Sequence, residues 1–321
     1  MKIVVTGAAG FVGSHLCERL AALGHDTVGI DSFTDYYAPS LKRLNARDVA
    51  EKGARVHDLD LVDGRLDAVV KDVEVVYHVA AQPGISSAVP FDMFVRNNIL
   101  ATHRLLEAVR DLPTLRCFIF VSTSSVYGAY ATEAETAAPK PASYYGVTKL
   151  AAEQLAMSYF RSRGLPVCSL RLFSVVGPRE RPEKLYSRLI RCILEGKEFP
   201  LCQGSREHSR SYTYVGDAVD GFVSVLDRLE ECRGEIFNIG SDIEVKTGEG
   251  IEILEHILGR KARMVEQPAR PGDQQRTHAN IEKARRVLGY EPKHTLEEAL
   301  RDQVEWYLNK VDGRVRIQMT A

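Results

Sequence analysis

A phenol, an ammonium and a run of small hydroxyls stand in this chain where they can act on one alcohol carbon. Tyr145-Gly-Val-Thr-Lys149 sets a tyrosine and a lysine four positions apart, and so on one face of a helix. The hydroxyl run Ser122-Thr123-Ser124-Ser125 lies about twenty residues upstream. A cation beside a phenol favours phenolate, which is expected to lower the Tyr145 pKa toward the working pH and make it a usable base. Thr123 can hydrogen-bond the same substrate oxygen, and the set reads as hydride chemistry on an alcohol. Tyr144 does not share the face of Lys149, which assigns it to packing or to the substrate wall.

Hydride chemistry needs a carrier, and the amino terminus supplies a place for one. Gly7-Ala-Ala-Gly10-Phe11-Val12-Gly13 falls between an apolar strand and a helix, where glycines permit a tight turn and let backbone N–H groups approach a pyrophosphate. Asp31, ending the next strand, can accept hydrogen bonds from both adenosine ribose hydroxyls and would repel a 2′-phosphate, so NAD is expected rather than NADP. Lys42 and Arg43 are read as solvent-facing on a helix. Asp60 and Leu61 after the third strand could border the adenine, and Val79, Ala80 and Ala81 after the fourth offer small groups against the cofactor.

Those residues need a scaffold, and the periodicity predicts one. Strand-like runs at Lys2–Thr6, Thr27–Asp31, Ala54–Asp58, Val73–His78, Cys117–Ser122 and Pro166–Leu172 alternate with helical stretches at Phe11–Gly24, Asp92–Arg110 and Tyr145–Gly164. Strand, helix, strand at this spacing implies an α/β fold, a parallel sheet wound on both faces, with ligands beyond the carboxyl ends of its strands. The cofactor domain is expected over 1–172 with a returning segment at about 212–239. Residues 173–321, richer in Gly, Pro and Arg, are expected to form mainly a smaller substrate-binding lobe, ending in a frayed tail.

Composition narrows the class. The chain has 321 residues, 45% of them hydrophobic, enough for a large core. Its 42 basic and 43 acidic residues leave a formal net charge of -1, giving no field that would argue for nucleic acid or an anionic membrane. The six cysteines show no CxxC pair and no zinc spacing, so buried reduced thiols and no metal are expected. An apolar strand begins at Ile3, and no apolar run is long enough to span a bilayer, so a cytoplasmic protein is expected.

The glycine turn, Asp31, the STSSVYG string from Ser122 to Gly128, YGVTK, and RSYTYVGD from Arg210 to Asp217 together resemble the extended short-chain dehydrogenase/reductase family of nucleotide-sugar epimerases and dehydratases. The resemblance covers nearly the whole chain. It implies a Rossmann domain, tightly bound NAD held partly by Lys149 on the nicotinamide ribose, a UDP- or dTDP-sugar, and a homodimer built on the 92–110 and 145–164 helices. It also implies Arg210 and Arg270 as diphosphate ligands, Asp273 as a nucleotide-ribose ligand, and Asn98 as a residue orienting the sugar or nearby backbone.

Residues beside the hydroxyl string sort the reactions. Decarboxylating and dehydrating relatives carry an acid at the position of Ser125, and its absence favours 4-epimerisation through a transient 4-ketone. Gly177-Pro178-Arg179-Glu180-Arg181-Pro182-Glu183 resembles the GPRxRPD stretch of UDP-glucuronate 4-epimerases, and Gln82–Ser87 partly resembles their xPGVRSS, with Ile85-Ser86 in place of Val-Arg. Ser174 stands where hexose epimerases have Asn. Thr123, Ser124, Ser125 and Ser174 form a candidate carboxylate receptor of uncharged donors, with Arg181 available to phosphate or carboxylate. A neutral-hexose 4-epimerase, a UDP-glucuronate decarboxylase and an NAD-binding sensor without turnover remain the alternatives.

Overall fold

The computed structural model describes residues 1–84, 89–269 and 274–312. Its centre is a seven-stranded sheet of β1 (Lys2–Thr6), β2 (Asp26–Asp31), β3 (Arg55–Asp58), β4 (Val75–His78), β5 (Cys117–Thr123), β6 (Val167–Leu172) and β7 (Ile236–Ile239). The order is β7-β6-β5-β4-β1-β2-β3, and every neighbouring pair is parallel. This is the doubly wound Rossmann arrangement that the sequence predicted. The direction of winding reverses between β1 and β4, which opens a crevice at their carboxyl ends.

Both faces of the sheet are apolar because helices cover both. Along β1 the pleat sends Ile3 and Val5 into one core and Val4 into the other, all fully buried. Helix α1 (Phe11–Ala22) contributes Leu16, Cys17 and Leu20 to the first, and each of the two leucines stabilises the fold by ~1.5–3 kcal/mol. Helix α2 (Pro39–Glu51) follows β2. Helix α3 (residues 91–109) is interrupted where one was predicted unbroken: Phe91–Phe94 and Ala101–Val109 are α-helical, and Val95–Leu100 is a π turn.

Helix α4 (Tyr144–Arg163) starts at Ser143, whose Oγ accepts from the Gly146 N–H at 3.1 Å, and ends at Gly164 in the left-handed conformation. One turn beyond Lys149 it buries Glu153, which pairs at 2.7 Å with the equally buried Arg171 of β6. Arg171 also donates to the Tyr127 hydroxyl, which donates to Asn238 of β7, so this sealed network ties four elements together.

The short β7 escaped the strand prediction and lies beside β6, reached by a return of the chain after residue 212. The other lobe has its own core around Tyr186, Leu189 and Ile190 of α5 (Leu185–Glu195), with Phe199, Ile251, Leu254 and Leu300. Its strands are short, the longest pair being Glu198–Cys202 against Arg263–Gln267. Asp217 joins the halves: it accepts from the Lys293 and His294 N–H groups at 3.0 and 2.9 Å, and its other oxygen meets the His294 ring at 2.8 Å.

Candidate active site

One cleft of about 650 Å³ runs from the β1–α1 turn to the second lobe. Gly7, Gly10, Phe11, Val12, Gly13, Asp31, Asp60, Leu61, Val79, Ala80 and Ala81 line one end. Thr123, Ser124, Ser125, Tyr145, Lys149, Ser174, Arg181 and Arg210 line the remainder. Arg270 and Asp273, with Ile85, Ser86 and Ser87, lie outside the described residues.

The cofactor end is set by backbone. Gly7 has φ +70°, and a Cβ on Gly13 would stand 2.1 Å from the Gly7 carbonyl oxygen, so the turn closes onto the helix only with glycine there. Gly10 caps α1 with no side-chain partner, which leaves first-turn N–H groups directed at the cleft. Asp31 accepts from Ala9 N–H at 3.0 Å and Phe33 N–H at 2.9 Å, while burial pushes its carboxyl pKa upward. The buried Ser122 hydroxyl, also lining the cleft, has no protein partner. A narrow glycine cradle, free helix N–H groups, a strand-end carboxylate and an orphaned hydroxyl fit a dinucleotide.

One expectation at this end needs correction. Lys42 does not face solvent: it is buried on α2, its Nζ donates to the Thr34 carbonyl and hydroxyl at 2.8 Å each, and it stands 4.8 Å from the Tyr37 ring centre. Arg43 is exposed, as read. Asp60 reaches the cleft, but its carboxylate is held by Arg96 through two contacts of 3.1 Å and by the Val62 N–H at 2.7 Å, which together keep its pKa low. Asp60 thus lies at this end of the cleft beside Leu61, its carboxylate steadied by that pair.

At the reaction end α4 approaches the hydroxyl string at contact distance. A Cβ on Gly146 would stand 2.6 Å from the Ser125 carbonyl oxygen, which explains the glycine between Tyr145 and Lys149. Thr123 hydrogen-bonds Tyr145 and accepts from the Ser125 N–H at 3.1 Å. Ser124 and Ser125 open a short 3₁₀ turn over Ser124–Tyr127. Tyr144 points outward, 59% exposed and edge-on to Phe91, so it is no part of the substrate wall.

Burial dominates the electrostatics at this end. Burial raises the Tyr145 pKa, and the groups opposing that rise are the Arg181 guanidinium first and the Thr123 hydrogen bond second. The Lys149 Nζ donates to the Val121 carbonyl at 2.6 Å and lies 4.2 Å from the Phe120 ring centre, which leaves its other N–H donors to the cleft. Burial drives its pKa down to about 7, against the pull of Glu153.

Asn98, in the π turn, accepts from the Gln82 N–H at 2.7 Å and donates to the Gln82 carbonyl and to Thr148 of α4. It thus orients backbone between the β4 loop and the catalytic helix, one of the two roles expected of it. Arg210 donates to the Gln274 carbonyl at 2.6 Å. The exposed Arg206, Arg260 and Arg286 stay out of the cleft.

Sequence reasoning missed several lining residues. Tyr36 and Glu183 both contact Arg181, Arg188 of α5 packs on the Phe199 ring, and Gln274 donates to the Gly128 carbonyl at 3.0 Å. The tyrosine pair just past Asp31 was the one signal in the string that pointed at this group. Cys202 also lines the cleft and is only half-buried, unlike the five other free cysteines. Among the described residues no His/Cys/Asp/Glu group could hold a metal, and no helix is long and apolar enough to cross a membrane.

Comparison with known proteins agrees with this geometry. The protein is 37% identical, over 98% of its length and all of the relative's, to a protein of Bacillus subtilis described as an uncharacterized UDP-glucose epimerase, YtcB. It is 36% identical to UDP-glucuronate 4-epimerase 3 of Arabidopsis thaliana, covering 97% of this chain and 77% of that one. The solved UDP-glucuronic acid 4-epimerase of Bacillus cereus, in complex with UDP-glucuronic acid and NAD, superposes with a TM-score of 0.92 at 36% identity, over 96% of this chain and 99% of that one. The profile of the NAD dependent epimerase/dehydratase family matches residues 3–240, and the chain belongs to that family.

Proposed function

We propose that this chain is an NAD-dependent UDP-glucuronate 4-epimerase whose product is UDP-galacturonate. The observation that carries the substrate choice is the uncharged wall of Thr123, Ser124, Ser125 and Ser174 beside Tyr145, with no acid at position 125. The likeness to the solved epimerase bound to UDP-glucuronic acid supports it. Gly7, Gly10, Phe11, Val12, Gly13, Asp31, Asp60, Leu61, Val79, Ala80, Ala81, Tyr145 and Lys149 would hold NAD. When bound, NAD supplies a hydride acceptor that is regenerated within each cycle.

Tyr145 takes the proton from the sugar 4-hydroxyl and returns it, and Thr123 shares that oxygen and fixes its place. A 4-ketone of a uronate is a β-keto acid, which loses CO₂ when its carboxylate bond aligns with the carbonyl π system. The serine wall holds the carboxylate out of that alignment with neutral donors. Arg210, Arg188 and, outside the described residues, Arg270 are assigned to the diphosphate, and Asp273 to the nucleotide ribose. Residues 1–172 with 212–239 serve the cofactor, and 173–321 mainly the nucleotide sugar.

Copies pair, we infer, through the outer faces of α3 and α4, where Phe91, Met93, Leu100, Tyr144 and Val147 are all exposed. Light scattering of a monomer would overturn that. Six free cysteines suit the reducing cytoplasm.

Incubating purified protein with UDP-glucuronate, without added cofactor, tests the reading by NMR and mass spectrometry. Conversion at unchanged mass is the expected result, and loss of CO₂ would overturn it in favour of decarboxylation. The relative described as a UDP-glucose epimerase supports a second reading, which would be adopted if UDP-glucose turns over and UDP-glucuronate does not.

A further inference from the structure

The segment 178–184 belongs to the second lobe by sequence and to the cofactor half by contact. At its start the Pro178 carbonyl accepts from the His15 ring of α1 at 2.9 Å. Arg179 is buried and donates to Glu18 of α1 at 2.6 Å and to Asp48 of α2 at 3.3 Å. Farther on, the Arg181 guanidinium carbon lies 5.8 Å from the centre of the Tyr36 ring, and the Lys184 Nζ lies 5.8 Å from that of Phe11. Phe11 opens α1 directly after Gly10 of the glycine turn and Tyr36 follows Asp31 by five residues, so the segment rests on both elements that frame the dinucleotide end.

The back of this strap is anchored in its own lobe. Glu180 is buried and accepts from the Ser187 N–H and hydroxyl at 3.2 and 3.0 Å, and from Gln303 of the helix Leu296–Trp306 at 2.8 Å. Lys310, just past that helix, pairs with Asp48 at 3.3 Å. Arg179 is the costly member. It stands at φ +67°, where a side chain strains the backbone, and its buried Nη1 has no partner. Costs of this kind gather at ligand clamps, and the strap lines the cleft through Glu180, Arg181, Glu183 and Lys184.

Taking the glycine end as the NAD site, on which this rests, we propose that Arg179 is a positioning residue for the cofactor: it pins the strap to α1 and α2 across the dinucleotide end of the cleft, and bound NAD leaves only when that pin opens. Opening separates one guanidinium from two carboxylates. Loss of one partner from a buried, hydrogen-bonded charge pair acts mainly on the dissociation rate, so the pin governs how long NAD stays.

Dissociation is read with no sugar present, as exchange of bound NAD against an excess of isotopically labelled NAD, followed by mass spectrometry. Arg179→Gly removes the pin and spares the backbone, because glycine takes a positive φ freely. Its exchange should be faster than that of the wild type by about tenfold or more. Arg179→Lys keeps the charge and should recover part of the difference. Glu18→Gln should give a smaller acceleration, and adding it to Arg179→Gly should bring no further gain, because the two act in one network. Turnover of UDP-glucuronate by dilute Arg179→Gly should come to depend on added NAD and return when NAD is supplied.

Leu105→Ala, a change in the buried core of α3, controls for general loosening. Equal exchange in wild type and Arg179→Gly would overturn the proposal, as would equal acceleration in Leu105→Ala at matched thermal stability. A turnover deficit that added NAD leaves in place would likewise reduce Arg179 to a structural tie. A wild type that binds no NAD would refute the cofactor reading itself and the pin with it. Inertness toward UDP-glucuronate alone would refute the substrate reading, with the exchange rates still deciding the role of Arg179.

Discussion

The two ends of the cleft are held by different means. At the dinucleotide end the determinants are backbone: a left-handed Gly7, a Gly13 with no space for a methyl group, and a helix terminus without a side-chain cap. At the reaction end they are side chains converging from distant segments, with Thr123 on β5, Tyr145 on α4, and Arg181 joined to Tyr36 and Glu183. Backbone demands leave a local trace in sequence, because only glycine satisfies them. Side-chain convergence leaves a trace only where residues share one element, as Tyr145 and Lys149 do, whereas Tyr36, Arg181 and Glu183 are ordinary where they stand and meet only in the fold.

Substitutions at the two ends should therefore fail differently. The largest effect is expected from Tyr145→Phe, which keeps the ring and removes the proton carrier. Turnover of UDP-glucuronate should fall by ~10²–10⁴-fold while the protein still carries NAD, and full turnover in a stopped assay would refute its role. Glu153→Gln lies outside the cleft and strands the buried Arg171 guanidinium, so it should cost ~3–5 kcal/mol in denaturant unfolding.

Gly13→Ala probes the backbone-set end. The added methyl would press on the Gly7 carbonyl, so stability should fall by ~1–3 kcal/mol and the purified protein should lose its bound NAD. Retention of NAD by that variant would show that the turn yields more than the geometry allows. Ser125→Glu is milder still for the fold: it should leave NAD in place and let loss of CO₂ compete with epimerisation, so unchanged product purity would remove the serine wall from the argument.

The smallest expected effect is a pH dependence of the cofactor-free protein. Lys149 is depressed from 10.5 to about 7, so between those values the unfolded chain binds more protons than the folded one. By linkage, this residue makes stability rise with pH through that window and withholds its contribution below it. Replacing it with Met should flatten the profile there, and an unchanged slope in thermal melts from pH 7 to 10 would contradict the assignment.

The same contrast explains what could be read from the string of residues. The parallel sheet was legible because its strands are apolar runs separated by amphipathic helices, and Tyr145 with Lys149 was legible because their spacing matches a helix repeat. The buried Lys42 was not, since its exposure depends on a carbonyl at Thr34 that only the folded loop presents. Nor was the π turn in α3, from which Asn98 reaches Gln82 and Thr148. The short β7 has too few residues to announce itself before it pairs with β6. That Arg181 of the other lobe would line the same cleft as Tyr145 was not legible either, since only the fold brings the two segments to one cavity.

Helix α4 also carries charges in series. Tyr145, Lys149 and Glu153 recur every four residues on one face, and Arg171 closes the row at its sealed end. Glu153 pulls the Lys149 pKa upward against the larger effect of burial. Because the same carboxylate also neutralises the buried Arg171, position 153 cannot change without stranding that cation, and the charge of the catalytic helix is thereby locked to the stability of the fold.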